Sequence, residues 1–252
     1  MSPSSLETLP PPEEVEGQEN SLVTPEDWRR LEGVLKKEKG ATRLAILASA
    51  KLASPGQFED YEANHDIYQE GDFSYTRSLI QEGKSDKKYA TVVREGAKLK
   101  TIFVEPDRMQ EFGIDEEVLN GVSAEIAQAR QEERPHWPSL LRSMRDATII
   151  FGRSEKFMAD GEAFLAAQAR LAEMENKEQW NEYADTLATI KILFPDQSEG
   201  MEPSHRARIG MDQKLASLRD GAEFYKREDL FLEMAANQRI ALAKKVNIPE
   251  RE

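Results

Sequence analysis

Cysteine is missing from all 252 residues, which excludes disulfides, zinc thiolates, iron–sulfur clusters and a thiol nucleophile. Packing alone must hold the fold, and a chain of this length buries enough apolar surface to manage it. No apolar run reaches the length that spans a bilayer, and the opening Met1-Ser2-Pro3-Ser4-Ser5-Leu6-Glu7 lacks the basic start and greasy centre of a secretion signal. A soluble, cytoplasmic protein without membrane insertion is the expectation. Alternating apolar and polar residues over strand lengths are almost absent, and no Asn-Gly or Asp-Gly pair stands between two such runs. Missing as well are the glycine-rich loops that cradle nucleotide phosphates and the Gly-x-Ser-x-Gly elbow of serine hydrolases. No motif names a reaction, and no cofactor is expected.

What the chain does have is acid. Forty-seven Asp and Glu face 34 Lys and Arg, a formal net charge of −13. That balance repels polyanions and makes another protein the expected partner, with nucleic acid the less favoured one. Residues 1–22 are rich in Pro, Ser and Glu, including Pro10, Pro11 and Pro12 ahead of Glu13 and Glu14. Such a segment has too little to bury against its ordering entropy, so it is predicted to be a disordered acidic tail.

From there on, apolar residues return at helical steps. Thr24-Pro25-Glu26-Asp27 supplies a capping hydroxyl, a first-turn proline and two acids ahead of Trp28, Leu31 and Leu35. A second helix follows from about Ala41 to Ala53, and a third is expected over 57–69 with Phe58, Tyr61 and Tyr68. Gly71 punctuates it before a short helix over 73–80. Ser85 and Asp86 are candidate caps for a helix carrying Val92, Val93 and Leu99, in which Thr101 to Val104 has a strand-like alternative. Asp115 caps another, lined by Val118, Leu119, Val122 and Ile126. The prolines of 134–138 interrupt the pattern, so any division of the helical domain 23–252 falls there. Stripes at Leu141 to Phe151, Phe157 to Met174, Trp180 to Phe194, Met211 to Leu218 and Leu230 to Ala241 complete the set, with Ser204 as a cap and Lys244 and Lys245 at the last helix end. The reading is an all-α, multi-helix bundle of short antiparallel or orthogonal amphipathic helices.

Three groups of residues are candidates for chemistry. Each histidine follows a glutamate by three positions, but Pro135 and Pro203 fall inside two of these pairs. That leaves Glu62 and His65 as the pair able to share a helix face in a metal-carboxylate site. Arg29, Arg30, Lys36, Lys37 and Arg43 concentrate positive charge on two helices joined through Gly40, a helix-turn-helix-like segment over 25–53 that suits DNA. Phe58, Tyr61 and Trp137 lie in loopy or acidic surroundings where they suit a partner surface. On balance the sequence favours a protein–protein interaction or scaffold protein. A DNA-contacting regulator is the alternative and a metal-carboxylate enzyme the second alternative.

Overall fold

The computed structural model describes residues 22–65, 70–103, 106–154, 157, 160–220, 228–244 and 246. The expected tail lies outside these residues except for Leu22, which packs against the core. Among the described residues the chain forms twelve α-helices and no strand, so the all-α reading holds. They are α1 (Pro25–Leu35), α2 (Gly40–Ala53), α3 (Pro55–Asn64), α4 (Glu70–Ser85), α5 (Tyr89–Ile102), α6 (Pro106–Glu111), α7 (Glu116–Arg130), α8 (Trp137–Phe151), α9 (Gly161–Asn176), α10 (Trp180–Leu193), α11 (His205–Arg219) and α12 (Glu228–Leu242).

Several ends are set by local chemistry. The Thr24 hydroxyl accepts from the Asp27 N–H while the Asp27 carboxylate accepts from the Thr24 N–H, a reciprocal capping box. Asp115, Asp160 and Ser204 cap α7, α9 and α11 through their own side chains. Other ends are satisfied from a distance. Ser85 and Asp86 do not cap α5; the Glu125 carboxylate of α7 accepts from the Tyr89 and Ala90 N–H groups at 2.8 and 2.7 Å. Asp72 on α4 likewise accepts from the Gly40 N–H at the start of α2.

C-terminal carbonyls are met by cations from neighbouring helices, where the helix dipole is negative. Lys51 donates to the Ile102 carbonyl, Arg239 to that of Leu52, Lys191 to that of Ala243 and Arg43 to that of Leu35. Lys191, not the expected Lys244, therefore serves the end of α12; Lys244 is exposed, and Lys245 lies outside the described residues.

From α7 onward, outer and inner helices alternate along the chain. α2, α5, α8, α10 and α12 each pack on the next, and α12 returns to α2, which closes a ring. Outside it, α4 lies against α2 and α5, α7 against α5 and α8, α9 against α8 and α10, and α11 against α10 and α12. Residues 131–136 link α7 to α8, which pack on one another. Two outer helices come close because a glycine faces an aromatic ring. A Cβ on Gly210 of α11 would sit 2.2 Å from the Trp180 ring, and one on Gly121 of α7 2.4 Å from that of Tyr89.

Other boundaries differ from the sequence expectation. α3 stops at Asn64 rather than near 69, and residues 66–69 are outside the described set. α4 is one helix from Glu70 to Ser85, with Gly71 in its first turn, because Phe73, Thr76 and Ile80 all face the interior. Thr101 and Ile102 are the last turn of α5 rather than part of a strand. Phe157 is buried ahead of α9 rather than within it.

Candidate functional site

The ring carries a half-open cavity of about 380 Å³ to which all five inner helices contribute, within the range of roughly 300–1,000 Å³ common for ligand sites. Its existence follows from small side chains. Ala45, Ala48, Ser49 and Leu52 recur on one face of α2 at steps of three and four, a stripe that leaves room where larger residues would have filled the ring. Ala97 of α5 and Ala236 of α12 extend this wall, and Ile149, Ile192 and Ile240 add apolar surface.

Charged and polar side chains line the remainder. Arg94 and Lys98 project from α5, Arg142, Arg145 and Asp146 from α8, and Asp229, Glu233 and Asn237 from α12. A smaller recess of about 170 Å³ shares Arg142, Glu233 and Asn237 and adds Asn181, Glu182 and Asp185 of α10.

The deep end of this lining is electrostatically closed. Arg145 is hydrogen-bonded to Asp185 at 2.5 Å, to Thr189 at 3.1 Å and to its neighbour Asp146 at 3.2 Å. Burial disfavours the Arg145 charge, but Asp185 and Asp146 outweigh it and hold the guanidinium proton more tightly than usual. Burial likewise opposes charge on Asp185, and Arg145 overrides it, leaving that carboxyl below the ordinary range. For Asp146 burial prevails despite Arg145, and its carboxyl is raised.

The outer part is open. Arg142 reaches Asp185 only at 3.6 Å with 54% of its side chain exposed, and Arg94 reaches Glu95 only at 3.7 Å with 56% exposed. Lys98 is held by Glu95 at 2.9 and 3.0 Å. Glu233 has no hydrogen bond or ion pair among the described residues. Glu233 is exposed at the mouth, yet partial displacement of water by the surrounding protein, and then the charge of Asp185, raise its carboxyl above the usual value. In the smaller recess the Asn181 side-chain oxygen is buried without a hydrogen-bond donor among the described residues. Hydrogen-bonding capacity of both signs is therefore left over at the cavity mouth.

None of the residues singled out from the sequence lines this cavity. Phe58 and Tyr61 are not surface anchors; they are 0% and 5% exposed, Tyr61 packs edge-on against Trp28, and α3 places both toward the core. Trp137 is half-buried at the start of α8 with the Arg130 guanidinium 5.9 Å from its ring centroid. Arg43 is not available to DNA: it is buried in an ion pair with Asp72 at 2.7 Å and donates to the end of α1. Arg29, Lys36 and Lys37 are exposed, and Arg30 pairs with Glu26. His65 ends α3 with extended backbone; its ring stacks on Tyr61 at 4.2 Å and its Nδ1 lies 3.1 Å from the Tyr61 carbonyl. Among the described residues no group of three or more histidines and acids is placed to hold a metal ion, so Glu62 and His65 gain no further donor there.

The cavity residues did leave a trace in the sequence, in the small stripe of α2 and in Asp229, Glu233 and Asn237 at four-residue steps along α12. Each stripe alone reads as an ordinary packed or solvated face. No family model, curated protein or solved structure matches the chain.

Proposed function

We propose that this chain is a protein-interaction module that receives a segment of a partner protein in the cavity of its helical ring. The observation that carries this reading is the mouth of that cavity, where Arg94, Arg142 and Glu233 stand beside a wall of small apolar residues with little or nothing bonded to them. A surface that combines shallow apolar area with unspent charge suits a side-chain-bearing polypeptide. Burial of Arg43 removes one of the five candidate cations from the basic segment 25–53, which weighs against the DNA-contacting alternative.

Photo-leucine placed at Leu52, a lining position, tests the reading directly. In extract of the native host the expected result is a discrete crosslinked protein that disappears when Ala45→Trp fills the cavity, with helix content by circular dichroism unchanged. Crosslinks that persist unaltered in the filled variant would overturn it.

A further inference from the structure

Resting on that reading, we infer that the cavity is a two-edged charge clamp, selecting a helical partner segment whose apolar stripe is flanked by a base on one side and an acid on the other. Ring order supplies the geometry. α2 lies between α12 and α5, so its small residues Ala45, Ala48 and Ser49 form a floor with a different helix on each side. The α12 edge carries Asp229 and Glu233; the α5 edge carries Arg94 and Lys98, continued by Arg142 on α8, the next helix of the ring. The two edges thus have opposite sign.

Apart from Lys98, which Glu95 holds, the charges on these edges are at most loosely paired within the fold. Glu95 takes up Lys98 but lies 3.7 Å from Arg94, and Asp185 is committed to Arg145 and lies 3.6 Å from Arg142. Glu233 has no donor at all among the described residues. A floor of alanine and serine lets a helix backbone approach closely, while longer side chains on its flanks reach the two edges. A base facing α12 and an acid facing α5 then meet complementary charge, and a like charge on either side is repelled. Reversing the direction of the segment exchanges its flanks, so the rule concerns one charge of each sign and not a fixed polarity.

Fluorescence anisotropy with the full chain and three labelled peptides tests it. Each peptide spans about four helical turns and carries the same alanine and leucine stripe, flanked by Lys and Glu, by Lys on both sides, or by Glu on both sides. The mixed peptide is expected to bind about tenfold or more tightly than either other, with affinity falling as salt rises. Reversing the acidic edge with Asp229→Lys and Glu233→Lys makes both edges basic and shifts the preference to the Glu-flanked peptide. Arg94→Glu with Arg142→Glu makes the other edge acidic and shifts it to the Lys-flanked one. Equal binding of all three peptides, or preferences that do not follow the reversals, overturns the clamp. Failure of every peptide while the Leu52 crosslink still forms also overturns it and leaves the interaction module standing. Loss of that crosslink's dependence on the cavity removes both.

Discussion

Two arginine–carboxylate clusters in this molecule look alike in composition and differ in completeness. Around Arg43, one Asp72 oxygen accepts from the Gly40 N–H and the other from the guanidinium, while the Arg43 Nε donates to the Leu35 carbonyl; both side chains are 3% exposed. Around the ring cavity, Arg145 is saturated in the same way, yet Arg142 is held loosely and Glu233 by nothing among the described residues. The first cluster joins α1, α2 and α4 and is closed to solvent. The second joins α8 and α10 and keeps capacity at its mouth. Completeness of bonding, rather than the presence of charge, separates a structural ion pair from a surface prepared for a ligand.

Breaking one member of each cluster should expose that difference. Asp72→Ala removes the buried carboxylate that pairs with Arg43 and accepts from the Gly40 N–H, at an expected cost of about 3–5 kcal/mol in urea unfolding. Glu233→Ala removes a group that bonds to nothing among the described residues, and its effect should stay within about 0.5 kcal/mol of zero. A large loss at Glu233 would mean that the open cluster is structural after all.

The next effect in size contrasts outer and inner packing. Gly210→Ala drives a Cβ into the Trp180 ring, which is fixed between α10 and α11, and should cost about 1–3 kcal/mol. Gly33→Ala, in the exposed middle of α1 with nothing within 4 Å of the added carbon, should instead stabilise by up to about 1 kcal/mol. Thermal denaturation of the two variants separates close helix approach from ordinary helix propensity.

Helix capping shows how far the sequence could be read and where reading stopped. Thr24, Asp115 and Ser204 lie next to the ends they cap, so their role was visible in a run of a few residues. Glu125 and Asp72 cap helices whose starts lie 35 and 32 residues away, and nothing local announces them. The cavity was hidden for the same reason. Its apolar floor, acidic edge and basic edge come from helices far apart in the chain, and each stripe has a plain explanation until the ring brings them together. Phe58 and Tyr61 failed in the opposite sense, since acidic neighbours disguised residues that α3 turns inward. Thr24→Ala should cost about 1 kcal/mol. Glu125→Ala should cost at least as much, because two N–H groups lose their acceptor; a smaller loss would show that water replaces the distant cap as well as the carboxylate served it.

The smallest effect is a pH dependence, and its sign is fixed by the open cluster. Desolvation first, then Asp185 and to a lesser degree Asp229, raise the Glu233 carboxyl, while Arg145 and Arg142 pull the other way. The folded state therefore holds the Glu233 proton more tightly than the unfolded chain does. Its contribution is full below the ordinary glutamate range and is lost as pH rises through the folded value. Glu233→Gln, which keeps the shape and cannot ionise, should match the wild type at acid pH and gain on it as pH rises through that window. Melting temperatures of the two proteins measured side by side across the window read this, together with the change that loss of the Glu233 charge makes to its coupled neighbour Asp185. A bound base at the α12 edge reverses the trend, because it stabilises the ionised carboxylate and releases the proton. With a saturating Lys- and Glu-flanked peptide the wild type should then overtake the Gln variant at neutral pH, and an unchanged difference would place the cation elsewhere.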